Sequence, residues 1–125
     1  MIVDTSALIA ILRGEPDAIA LREKLLQAAE PRISAGTLLE ARMVAERDGG
    51  VVDLNALLSA AGIEIVPVDE AQVDAAHDGF RRFGKGRHPA GLNYGDCFAY
   101  GLARVLGEPL LFKGEDFSLT DVDPA

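Results

Sequence analysis

The chain has 125 residues, of which 49% are hydrophobic and 26% charged, the balance of one soluble globular domain and not of a disordered or fibrous protein. Twelve Lys and Arg against 20 Asp and Glu give a formal net charge of −8, which opposes non-specific attraction to polyanions. Cys97 is the only cysteine, so an intramolecular disulfide and a thiolate metal cluster are both excluded, and it reads as a small core residue.

"MIVD" reads as a short first strand, followed by an apolar helix from Ser6 and a break at "RGEP". The longest apolar run, "ALIAIL" at 7–12, is far too short to cross a bilayer and has no basic flank of the secretory kind, which points to the cytoplasm and away from membranes. "DAIALREKLLQAAE" places Ile19, Leu21, Leu25, Leu26 and Ala29 near helical spacing and ends at Pro31. "RISA" is a second strand, a helix runs from Thr37 to about Arg47, and "VVDLNALLSAAG" is another helix closed by Gly62. "IEIVPV" is a third strand. "DEAQVDAAHDGFRRFG" carries Val73, Ala76, Phe80 and Phe83 on one side of a helix, with His77 expected to pack there. A glycine-punctuated loop, "GKGRHPAGL", leads to a helix from Asn93 to about Leu106, then to the strand "PLLFK" and the turn "GEDF". Short strands alternating with helices over this length predict a single α/β domain, residues 1–125, with a mainly parallel sheet. In such sheets ligands bind beyond the carboxyl ends of the strands.

Carboxylates collect at those ends. Asp4 closes the first strand and Asp116 follows "PLLFK", while Glu40 and Asp96 each stand three residues after a potential helix cap, Thr37 and Asn93. "TLLE" fits a capping box, and an acid in a first turn is favoured by the helix dipole. Yet Glu40 heads a row with Met43 and Val44, and Asp96 heads a row with Ala99, Tyr100 and Ala103, so both look core-facing. Four ionised carboxylates cannot share a small pocket without a compensating cation. Mg²⁺ or Mn²⁺ suits hard oxygen ligands and retains waters for a phosphate substrate. A bound divalent ion would acidify a water and stabilise charge on a phosphoryl oxygen.

Arg81, Arg82, Lys85 and Arg87 crowd "RRFGKGRH". Such a strip can hold a phosphate backbone in an otherwise acidic protein, or can be a solvated helix end. His88, in the same loop, is a candidate substrate contact.

The order Asp4 in "IVDTSALIAIL", Glu40 in "ISAGTLLEA", Asp96 in "HPAGLNYGDCFAYGLA" and Asp116 in "LLFKGEDF" resembles PIN-domain ribonucleases, specifically the VapC-type toxins of toxin–antitoxin pairs. The resemblance runs nearly end to end. It implies a three-layer α/β/α fold, a homodimer, metal-dependent endonucleolytic cleavage of RNA that inhibits translation, and neutralisation by a cognate VapB antitoxin inserted near the acidic site. It makes Asp4 and Asp96 the principal Mg²⁺ or Mn²⁺ ligands, with Glu40 and Asp116 completing the set directly or through water. Thr5 and Ser6 would orient Asp4 or touch the scissile phosphate, although either hydroxyl can also cap the first helix. Arg82, Lys85 and Arg87 would hold RNA phosphates. Glu115, beside Asp116, departs from the small acidic or amide residue of many relatives.

Three other readings compete. A phosphoacceptor receiver module would use Asp4, Asp69 and Lys113, but receivers carry adjacent acids after the first strand where this chain has Asp4-Thr5, and Glu40 and Asp96 are left unexplained. A phosphatase of the haloacid dehalogenase type needs an acid where Ser6 stands. A catalytically silent PIN scaffold that only binds RNA or a partner is separated from the enzyme by metal-dependent turnover.

Overall fold

The computed structural model describes residues 1–125. Its elements follow the expected alternation: β1 (Ile2–Val3), α1 (Thr5–Leu12), α2 (Ala18–Gln27), β2 (Arg32–Ser34), α3 (Ala35–Arg47), α4 (Val51–Ala61), β3 (Glu64–Val66), α5 (Glu70–Phe83), α6 (Tyr94–Leu106) and β4 (Leu110–Leu111), with a 3₁₀ turn at Phe117–Leu119. The strands form one parallel sheet in the order β3-β2-β1-β4. The chain runs outward from β1 through β2 to β3 and then returns to the far side of β1, so the crevice for a ligand lies at the carboxyl ends of β1 and β4.

Strand periodicity divides the core. Neighbouring residues on a strand point to opposite faces, so Val3, Ile33 and Leu111 pack with α1, α2, α3 and α4 in one cluster. Ile2 and Leu110 pack with Ala99, Tyr100, Leu102 and Ala103 of α6 in another. The sheet is thus the middle of three layers. Helix α5 lies on α6 through glycine contacts: a Cβ on Gly79 would meet the Tyr100 ring, and one on Gly101 would stand 2.6 Å from the Gln72 carbonyl oxygen.

Local signals stop the helices where sequence reading placed the stops. Gly62 and Gly107 close α4 and α6 at φ 62° and φ 64°, a left-handed conformation in which glycine carries no Cβ penalty. Asp69 caps α5 by accepting from the backbone N–H of Gln72 at 2.9 Å, so the acid a receiver would phosphorylate serves here as a helix cap. At the opposite end of the sheet from the crevice, Arg32 pairs with Glu30, Glu64 and Glu108. No helix of the structure is long and apolar enough to cross a membrane.

Two stretches depart from expectation. Helix α3 starts at Ala35, because Ser34 supplies the cap by accepting from the Gly36 N–H at 3.3 Å. The apolar side of α5 is divided, with Phe83 packed against the core beside Tyr100 and the rest facing outward. Val73 is exposed there, and it forms, with Val68, Ala76, Phe80, Tyr94 and Phe98, an open apolar groove of about 490 Å³.

Candidate active site

Asp4 is the N-cap of α1. Its Oδ2 accepts from the backbone N–H of Ser6 at 2.9 Å and from Ser6 Oγ–H at 2.6 Å. The Ser6 hydroxyl in turn accepts from the backbone N–H of Lys113 at 3.0 Å, just past β4. Neither Thr5 nor Ser6 caps the helix. Thr5 Oγ instead donates to the Thr37 carbonyl at 3.2 Å, tying α1 to α3. Asp4 is 3% exposed, and its Oδ1 is buried without a hydrogen-bond partner. Burial pushes its pKa up, the Ser6 hydrogen bonds pull it down, and the Glu40 charge pushes it up again.

With α3 beginning at Ala35, Glu40 lies in the second turn, so the capping-box explanation of "TLLE" does not hold. Thr37 is instead fully buried, with its hydroxyl unpartnered. Nor does the Glu40 row enter the core: Met43 is 60% exposed and Val44 half-buried. Glu40 occupies a rim and reaches across to Gly95 at the head of α6.

Asp96 does cap, and does more. Its Oδ2 accepts from the Asn93 N–H at 2.9 Å while its own N–H donates to Asn93 Oδ1 at 3.0 Å. The row beneath it, Ala99, Tyr100 and Ala103, is buried as expected. Burial pushes the Asp96 pKa up to about 6 against the pull of the Asn93 hydrogen bond, with further upward pressure from Asp4, Glu40 and Asp116. Asp116 is exposed just past β4, close enough for its charge to act on Asp96. Its neighbour Glu115 is also exposed.

Asp4, Glu40 and Asp96 line one cleft of about 370 Å³ together with Thr5, Ser6 and Asn93. Two cations that sequence reading did not assign to the site share its wall. Arg13 pairs with Asp48 at 2.8 Å, and Lys113 pairs with Glu15 and, at 3.0 Å, with Asp17. The signal for Lys113 was available, since it follows a strand end as Asp4 does.

No three of the carboxylates stand in a ready-made coordination sphere. The donor set nevertheless fits a divalent cation. A buried carboxylate oxygen with no donor is costly, and raised carboxylate pKa values mark charge that lacks compensation. Mg²⁺ and Mn²⁺ take oxygen ligands and keep several waters, so they need few protein groups in direct contact.

The PIN domain family model matches residues 1–123. A ribonuclease VapC of Mycolicibacterium smegmatis is 50% identical over 98% of this chain and 97% of its own length. The chain belongs to the PIN-domain family, among the VapC proteins. The crystal structure of Mycobacterium tuberculosis VapC20, a sarcin–ricin loop cleaving toxin, superposes with a TM-score of 0.72 at 18% identity, covering 98% of both chains. A toxin–antitoxin complex from Klebsiella pneumoniae also gives 0.72 at 18% identity, covering 94% of this chain and 89% of that one. Both show the fold.

In this VapC-type PIN domain the basic strip is divided. Arg82 is committed to Asp121 at 2.9 Å and to Asp78 at 3.5 Å. Lys85 and Arg87 are exposed without an ion pair, Arg87 lying over the Phe80 ring at 5.7 Å. None of the three lines the acidic cleft. His77 does not pack into the core as its sequence position suggested. His77 is exposed at the edge of the apolar groove. His88 is tied into its loop, accepting from the Ala90 N–H at 3.1 Å and meeting the Phe83 ring edge-on at 5.1 Å. Cys97 is half-buried in the groove wall and not in the core.

Proposed function

We propose that this chain is a Mg²⁺- or Mn²⁺-dependent endoribonuclease, the toxin of a toxin–antitoxin pair, that inhibits translation by cutting RNA. The observation that carries the reading is the buried, unpartnered Oδ1 of Asp4 in a cleft shared with Glu40 and Asp96. Ribonuclease relatives at 50% identity across the chain support it.

Asp4 and Asp96 would hold the ion, and Glu40 and Asp116 would complete its surroundings directly or through water. When bound, a divalent cation lowers the pKa of a coordinated water and neutralises charge on a phosphoryl oxygen. Ser6 keeps Asp4 oriented through its two hydrogen bonds, which oppose the upward push of burial on its pKa. Asp96 is held by Asn93 at the helix head, so its free oxygen has a fixed direction. Arg13 and Lys113 line the cleft but are already paired with Asp48 and with Glu15 and Asp17, so the phosphate contacts fall to Lys85 and Arg87, which are exposed without an ion pair. Water, and not the 2′-hydroxyl, is the nucleophile, so the products carry 5′-phosphate and 3′-hydroxyl ends.

The apolar groove of α5 and α6 is the surface we assign to a homodimer. A VapB-type antitoxin would neutralise the toxin by placing a segment near the acidic cleft, as the resemblance to VapC proteins implies. The cytoplasm, where translation occurs, is the expected compartment. Incubating the purified chain with RNA in Mg²⁺, Mn²⁺ or chelator and mapping the ends tests the activity. Products ending in 2′,3′-cyclic phosphate would refute the mechanism.

A further inference from the structure

Gly95 is the second residue of α6 and is not among the positive-φ glycines. Its backbone is therefore one that any residue can adopt. A helical glycine is less favourable than alanine by roughly 0.5–1 kcal/mol, so its presence needs another cause. A Cβ built at Gly95 would collide with the Glu40 carboxylate, Oε2 first and Cδ at 2.7 Å, whereas the next neighbour, Asn93 Oδ1, is 3.3 Å away. The space of the missing side chain is filled by Glu40.

This contact is half of a reciprocal pair. A Cβ on Gly36 of α3 would run into the Phe98 ring of α6, with Cγ at 2.5 Å. Gly36 and Glu40 are four residues apart on α3, and Gly95 and Phe98 three apart on α6, so each helix offers a slot and a knob on one face. Glu40 reaches the head of α6, next to Asp96, because Gly95 leaves room for it.

We propose that Gly95 is a positioning residue whose absent side chain sets where the Glu40 carboxylate stands, so that the affinity of the cleft for a divalent cation depends on Gly95, which itself supplies no ligand. This rests on the cation reading given above. A methyl group at 95 displaces the end of a flexible side chain and not backbone, so the fold survives while the carboxylate moves.

The test is Mn²⁺ binding by titration calorimetry on the wild type, Gly95→Ala, Glu40→Ala and the double variant, with thermal melting in chelator alongside. Gly95→Ala should weaken Mn²⁺ binding by about tenfold or more, with a melting temperature unchanged or raised. In the Glu40→Ala background the same substitution should change Mn²⁺ affinity no further. Wild-type affinity in Gly95→Ala, or an equal loss in both backgrounds, overturns the proposal while leaving the cation reading intact. A wild-type chain that takes up no Mn²⁺ overturns both. If Gly95→Ala does not fold, folding of the double variant locates the collision at Glu40 and supports the proposal, and failure of both variants contradicts it.

Discussion

Ser6 Oγ donates to Asp4 Oδ2 at 2.6 Å while accepting from the Lys113 N–H at 3.0 Å, joining the ends of β1 and β4 through one hydroxyl. Ser6→Ala removes a donor from a buried carboxylate, a loss of about 1.5 kcal/mol for a hydrogen bond to a charged group. Burial already holds the Asp4 pKa above its ordinary value, so the folded chain binds that proton more tightly than the unfolded one. Stability therefore falls as pH rises from the ordinary carboxylate range through the folded pKa. Ser6→Ala should extend this fall to higher pH and shift the acid limb of the pH–rate profile upward. An unchanged limb would mean that the Ser6 hydrogen bond does not tune Asp4.

Burial pushes the Asp96 pKa from the ordinary 3.8 up to about 6. In chelator, its contribution to stability should decline as pH rises across that window and stay lost above it. Asp96→Asn keeps an oxygen for the Asn93 N–H and discards the charge. Discounted for the group's partial solvation, the gain is about 1 kcal/mol, some 4 °C in melting temperature. Cleavage should drop by about a hundredfold or more, equivalent to near 3 kcal/mol of lost transition-state stabilisation. Melting curves of the two proteins in EDTA at several pH values, with rates in Mn²⁺, check both halves.

The strand–helix order and the position of the acids at strand ends were legible because each strand is flanked by breakers and helix caps. Asp96 was legible for a stronger reason: its row of Ala99, Tyr100 and Ala103 is truly buried. Glu40 was placed correctly at the cleft but for an incorrect reason. Ser34 and Thr37 are both acceptable caps and both are fully buried, and only the hydrogen bond that Ser34 accepts from the Gly36 N–H decides for Ser34. Lys113 was legible as a cation at a strand end, but its meeting with Arg13 in one cleft depends on β1 and β4 being neighbours, which spacing does not show. The α5 stripe did not show which of its residues meet the core, since Phe83 packs there while Val73 on the same side is exposed.

Arg82 and Lys85 look alike in sequence and should behave differently. Arg82 is held by Asp121 and Asp78, so Arg82→Ala should lower the melting temperature and leave the salt slope of RNA binding as it was. Lys85→Ala or Arg87→Ala should reduce that slope by about 0.7 for each single-strand phosphate that is no longer neutralised. Filter binding across a salt series distinguishes the two residues, and a slope unchanged in all three variants would make the strip a solvated helix end.

Val73 is 52% exposed in the groove between α5 and α6. Val73→Glu puts a charge on the surface assigned to the dimer, and sedimentation velocity should then show a monomer with an unchanged melting profile at low concentration. A wild-type chain that sediments as a monomer throughout would remove the groove from dimerisation.

The most direct measurement is cleavage of total cellular RNA by the purified chain and its Asp96→Asn variant in Mg²⁺, in Mn²⁺ and in chelator, with the new ends mapped. Discrete cuts that need the metal, carry 5′-phosphates and vanish in the variant are the predicted result. Cuts that persist in chelator, or a variant as active as the wild type, would contradict the assignment of the acidic cleft as the catalytic centre.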